Sequence, residues 1–156
     1  MDHQKEDSLY AVFGQVMRFH YCRMHMLLEK LGVYPGQPPL FFALGKHEGQ
    51  SQKELAKNLY IKAATITVML NRMETGGWIE RRPDGNDKRV SRVYLTEQGL
   101  KIHHEVQETL KNIELDCFCN FTTEEQILLR RLFMQMRDNL MKACSDNFEG
   151  LGNFEE

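Results

Sequence analysis

The sequence predicts a mainly α-helical fold with one small β-hairpin. Three observations carry this prediction. Between Ser51 and Thr75, two stretches of helical apolar spacing flank a break at Tyr60-Ile61. Between Trp78 and Thr96, two runs alternate like strands around the turn residues Pro83-Asp84-Gly85-Asn86-Asp87. Long amphipathic stretches lie outside this core, one before it and two after.

The first helix spans Ser8 to Leu31. Leu9, Val12, Phe13, Val16, His20, Leu27 and Leu31 recur at helical spacing, and Phe19, Met24 and Leu28 widen the stripe. Gly32-Val33-Tyr34-Pro35-Gly36 ends it, and Pro38-Pro39 opens a helix from Leu40 to His47. Ser51-Gln-Lys-Glu54 is a capping box: the Ser51 hydroxyl can accept the Glu54 amide while the Glu54 carboxylate reaches back. Leu55, Ala56 and Leu59 share one face of the short helix that follows. The next helix, Ala63 to Thr75, has the stripe Ile66, Met69, Leu70, Met73 and ends at Gly76-Gly77. Its other side carries Lys62, Thr65, Val68 and Arg72, with Asn71 beside them. Strands at Trp78–Arg82 and Arg92–Thr96 form the hairpin, with Lys88, Arg89 and Arg92 at or near its tip. Glu97 to Asn120 reads as a long helix with Leu100, Val106, Leu110, Ile113 and Leu115 as apolar members. A second capping box, Thr122-Thr-Glu-Glu125, starts a helix bearing Leu128, Leu129, Leu132, Phe133, Met136 and Leu140.

A short helix, a helix with a polar outer face and a basic hairpin together describe a winged helix-turn-helix. There the second helix enters the major groove of DNA, and arginine at the wing tip reaches a neighbouring minor groove. Charge agrees. Ser51 to Thr96 holds nine Lys/Arg against five Asp/Glu, a balance of +4, whereas the whole chain is −2 and the remainder therefore −6. Positive charge concentrated on one segment is the footprint of a phosphate-binding face.

Gln52–Leu59 (QKELAKNL), Thr65-Ile66-Thr67, Leu70-Asn71-Arg72-Met73-Glu74, Gly77-Trp78-Ile79, Asp87-Lys88-Arg89 and Leu95-Thr96-Glu97-Gln98-Gly99 together resemble the MarR family of bacterial transcriptional regulators. The resemblance implies that the Thr-x-Thr helix reads the major groove and that Asp87 orients Arg89 in the wing or braces the hairpin. Lys62 and Ala63 stand where many members have a short polar or acidic cap. The candidate DNA-binding set is Ser51, Gln52, Lys62, Ala63, Thr65, Thr67, Val68, Asn71, Arg72, Asp87, Lys88, Arg89 and Arg92. The resemblance further implies a homodimer on a pseudo-palindromic duplex; a repressor is the expected role, with repression or activation set by where the operator lies. It implies a small aromatic or phenolic effector bound between the dimer helices and the winged domain. Phe13, His20, Met24, Phe41, Phe42 and Trp78 are candidates to line that site, with plain core packing as the alternative.

The expected organisation is a dimerisation helix over 1–34, a winged domain over 35–99, dimerisation helices over 100–145 and a flexible tail over 146–156. The three outer helices carry more apolar surface than one small domain can cover, which predicts a second copy of the chain. No phosphate-binding glycine loop, nucleophile motif or HExxH appears, so neither enzyme activity nor a cofactor is expected. His103-His104 and Cys117-x-Cys119 diverge around a helix and make poor metal ligands. No run approaches the length of a membrane span, no signal-peptide core precedes the first helix, and a cytoplasmic location is expected. Cys22, Cys117, Cys119 and Cys144 are irregularly spaced, as reduced thiols would be. One branch of the family senses peroxides through an N-terminal cysteine. Cys22 lies nearer the end of its helix than that cysteine would, and a buried, inert thiol is the plainer reading. A redox sensor using Cys22 and a winged-helix protein-interaction module are the alternatives to an effector-responsive regulator.

Overall fold

In the computed structural model, which describes residues 8–148, the first helix starts where a side chain closes it. The Ser8 hydroxyl accepts the amide of Ala11 at 3.1 Å and opens α1, Leu9–Leu28. A 3-10 turn, Glu29–Leu31, follows. Gly32 adopts the left-handed region at φ 70°, and the amides of Gly32 and Val33 bond the carbonyls of Glu29 and Leu28. Val33 and Leu28 are both buried, the apolar contact that accompanies this kind of helix ending. α2 spans Pro38–Lys46, with proline in its first turn, where no amide is needed.

The helix-turn-helix comprises α3, Gln52–Asn58, and α4, Ala63–Thr75. The capping box at Ser51 and Glu54 forms with both hydrogen bonds. Tyr60, at φ 54°, makes the turn between the helices. Ile66, Leu70 and Met73 of α4 are fully buried, each contributing roughly 1.5–3 kcal/mol of apolar burial. Gly76 caps the helix with its amide on the Arg72 carbonyl, and Gly77, at φ 73°, and Trp78 donate their amides to the carbonyls of Glu74 and Met73.

The expected hairpin is part of a three-stranded antiparallel sheet. β1, Gln50–Ser51, pairs with β3, Ser91–Leu95, which pairs in turn with β2, Ile79–Pro83, in the order β1-β3-β2. A two-residue strand leaves no alternation to read in sequence. Val93 and Leu95 face the core and alternate with half-buried Arg92 and Tyr94. The core joins these residues to Leu28, Leu40, Phe41, Leu44, Leu55 and Val106.

α5, Glu97–Phe118, begins against the sheet, and α6 spans Thr123–Phe148. The chain divides into two compact units, Met1–Cys117 and Phe118–Glu156. In the first, α1 buries Leu28 alone; Leu9 is 88% exposed, and Val12, Val16 and Phe19 are exposed. His20 and Cys22, expected as core residues, are also exposed, because no described residue of this unit covers that part of the α1 stripe. In the second, the amide of Glu125 reaches the Thr122 hydroxyl and the amide of Thr122 the Glu125 carboxylate, completing the second capping box. Leu128, Leu132, Phe133 and Leu140 of α6 are exposed. Residues 149–156 of the expected tail lie outside the described residues. No helix among the described residues is long and apolar enough to cross a membrane.

Candidate nucleic-acid interface

The outer face of α4 is built by exclusion. With Ile66, Leu70 and Met73 turned inward, Thr65, Val68, Asn71 and Arg72 are left exposed. Lys62 precedes the helix in an extended conformation and its side chain caps nothing, so the first amides of α4 lack a side-chain acceptor. Ala63 is exposed in the first turn. Thr67 is half-buried, and its hydroxyl donates to the Ala63 carbonyl at 2.7 Å while accepting from the Gln52 side-chain Nε2 at 2.5 Å. Gln52 and Thr67 therefore join α3 to α4, and Thr65 is the outward member of the Thr-x-Thr pair. The Ser51 hydroxyl is likewise taken by its cap.

Two residues outside the candidate set organise this face. The Arg81 guanidinium donates to the Asn71 side-chain carbonyl at 2.7 Å and pairs with Glu74 at 3.2 Å, tying β2 to α4. The Arg72 guanidinium lies over the Tyr34 ring, 4.8 Å from its centroid. Neither contact has a sequence signature, since each joins different elements through side chains.

The wing loop is ordered by Asp84. Its carboxylate accepts the amides of Asn86 at 2.8 Å and Asp87 at 3.0 Å, and the Arg92 guanidinium at 2.6 Å. These bonds, the Asn86 amide foremost and Arg92 next, hold the Asp84 carboxyl down at about 2. Arg92 is not at the tip. It stands in β3 opposite Arg82, and it also donates to Glu54 at 2.8 Å and to the Gly49 carbonyl at 3.2 Å. Its bond to Asp84 raises its already high pKa. Glu54 is held below its ordinary value, first by the Ser51 amide and hydroxyl and then by Arg92. Arg92 is thus a brace between wing and helix-turn-helix. Sequence reading missed Asp84 because it looked like one more turn residue.

Lys88 is exposed, and the Arg89 side chain is 95% exposed. Asp87 accepts the Arg89 amide at 3.0 Å, which shapes the loop, and its carboxylate lies 3.6 Å from the Arg89 Nε.

The six candidate effector residues are scattered in environment. Phe41 is fully buried, with its ring 5.7 Å from that of Trp78. Phe42 is half-buried, edge-on to His103 at 5.6 Å, and lines an open cleft of about 460 Å³ with Pro39, Lys46 and Leu59. Met24 and Trp78 pack against the core; Phe13 is half-buried and His20 exposed. Around Cys22, Arg23 pairs with Asp116 at 2.7 Å and Arg18 lies over Phe19.

A solvent-facing helix set on a two-helix unit, beside a three-stranded wing, defines a winged helix-turn-helix protein. Residues 40–91 match the model of the MarR family. The chain is 31% identical over 106 residues to the uncharacterized HTH-type transcriptional regulator YwoH of Bacillus subtilis, covering 68% of this chain and 77% of that protein. It is 31% identical over 121 residues to the HTH-type transcriptional repressor MdtR of the same organism, covering 78% of this chain and 75% of that protein. A solved structure of a cysteine-to-serine mutant of Escherichia coli MarR complexed with operator DNA superposes with a TM-score of 0.73 at 25% identity, covering 82% of this chain and 92% of that one. The chain belongs to the MarR family of transcriptional regulators.

Proposed function

We propose that this regulator is a sequence-specific repressor that binds a pseudo-palindromic duplex as a homodimer and responds to a small aromatic or phenolic effector. One observation carries the DNA-binding part: the exposed Thr65, Val68 and Arg72 of α4 share the winged domain with a solvent-directed Arg89 on the wing. Thr65 and Arg72 contact base edges in the major groove. The uncapped amides at the start of α4, with Lys62, take a backbone phosphate. Lys88 and Arg89 enter the flanking minor groove. The name of MdtR supports the repressor reading.

The dimer is supported by exposed apolar surface on α1 and, separately, on α6. Two-fold pairing sets two recognition helices about one DNA turn apart, ~34 Å. Sedimentation should give twice 18.3 kDa. The half-buried aromatic and methionine residues Phe13, Met24, Phe42 and Trp78 support an effector site. An effector lowers DNA affinity only by favouring the non-binding conformer.

The decisive experiment is selection of bound sequences from random duplexes, followed by titration at two salt concentrations. A two-fold symmetric consensus and a steep salt dependence are expected. Binding without sequence preference, or none, would transfer the fold to a protein-interaction role. A screen of phenols and aromatic acids against the selected operator tests the effector.

A further inference from the structure

Tyr34 lies in the connection between α1 and α2, far in sequence from the recognition helix, yet its ring sits under the Arg72 guanidinium. The connection is rigid for identifiable reasons. Gly32 turns the chain in the left-handed region and Val33 is buried in the core. Gln37, 1% exposed, accepts the Tyr34 amide on its side-chain oxygen at 2.8 Å and returns its own amide to the Tyr34 carbonyl at 2.9 Å. Gly36 lies against Met69 of α4, where an added Cβ would stand 3.5 Å from the methionine methyl. The backbone of Tyr34 is therefore fixed relative to α4, while the residue remains 54% exposed. An exposed aromatic ring on so constrained a loop buries little apolar surface, and its partner is the one arginine on the outward face of α4.

We propose that Tyr34 is a positioning residue for base reading, holding the Arg72 guanidinium in a single orientation on the outer face of α4. A long arginine side chain otherwise samples many rotamers, and ordering it on DNA costs affinity at the cognate site. A ring beneath the guanidinium removes part of that cost in advance, and leaves the edge of the planar group free for a bidentate contact. The role rests on Arg72 being a base contact, as proposed above.

The test compares Tyr34→Leu, Tyr34→Phe, Arg72→Ala and the Tyr34→Leu/Arg72→Ala double variant on the selected operator and a scrambled duplex, using the full chain. Tyr34→Leu should lower the preference for operator over scrambled duplex about two- to fivefold, the range of an exposed cation–π contact. Affinity for the scrambled duplex and the melting temperature should not change. Tyr34→Phe keeps the ring and should behave as wild type. In the Arg72→Ala background, Tyr34→Leu should cost nothing further. The ring-current shift of the Arg72 side-chain protons, measured without DNA, should vanish in Tyr34→Leu and persist in Tyr34→Phe. An equal loss with or without Arg72 overturns the proposal, as does an unchanged preference in Tyr34→Leu when Arg72→Ala alters it. If Arg72→Ala itself changes no preference, the base-reading role of α4 fails and the role of Tyr34 falls with it.

Discussion

Replacing Gly99 with Ala tests how tightly α5 is set on the winged domain. Thr96 caps this helix: its hydroxyl accepts the Gly99 amide at 3.0 Å and donates to the Gly77 carbonyl at 2.6 Å, while its amide donates to the Trp78 carbonyl at 3.0 Å. A Cβ on Gly99 would lie 1.8 Å from that carbonyl oxygen and 2.8 Å from its carbon. Both partners are backbone, so no side-chain rotation relieves the clash. The helix must retreat by more than 1 Å, and the Thr96–Trp78 bond is the first casualty. Overpacking costs roughly 1–3 kcal/mol and the lost hydrogen bond about 1 kcal/mol. A total near 3 kcal/mol corresponds to a fall of about 6–12 °C in Tm for a chain of this size. Thermal denaturation followed by circular dichroism measures it, with Gly85→Ala as control because nothing lies within 4 Å of a Cβ there. The control should stay within about 0.5 kcal/mol of wild type. A Gly99→Ala variant melting within a degree or two of wild type would refute the close approach as a structural constraint.

Other expectations concern the wing and its supports. Asp84, ordinarily near 3.8, is held at about 2 in the fold, so its carboxylate favours the ordered wing above its ordinary pKa and that contribution is lost as pH falls toward 2. The protection of the Asn86 and Asp87 amides, taken relative to the intrinsic exchange rate at each pH, should hold down to about pH 4 and fall below it, whereas Asp84→Asn should be poorly protected throughout. Ser51→Ala removes the acceptor of the Glu54 amide and should cost about 1 kcal/mol in urea denaturation; no loss would mean that the cap is idle. Arg89→Ala should weaken binding to most duplexes and flatten the salt slope by about one unit. Asp87→Ala should reproduce part of that loss, and a full-sized effect would give Asp87 a contact of its own.

Much of the fold is legible in local sequence because its signals are local. Ser51 with Glu54, Gly76-Gly77 and the α4 stripe act within one helical turn, and each forms as read. The sheet is half legible: β3 alternates, β2 buries Ile79 alone, and β1 is too short to show a period and exists through the register Gln50↔Val93, Ser51↔Arg92. Arg92 reads as a tip cation because basic residues cluster there, whereas its partners Glu54 and Gly49 arrive from elsewhere in the chain. The same reason hides Tyr34 and Arg81. Their partners Arg72 and Asn71 are far enough away that only the folded chain brings them together. The outward face of α4, defined by what its inner face buries, needed no such information.

The joint at Gly99 also has a mechanical meaning. α5 is 22 residues long, so it extends about 33 Å from the Thr96 cap. Seated without a Cβ against a backbone carbonyl, it moves with the wing rather than sliding over it. A rotation of about 5° at the seat displaces its far end by about 3 Å, by the rise of an α-helix over that length. This is close to the ~3.4 Å rise of DNA along its axis per phosphate of one strand. The same rotation would carry Val106, buried in the core ten residues from the cap, by about 1.3 Å, so α5 and the core beneath it can shift only together.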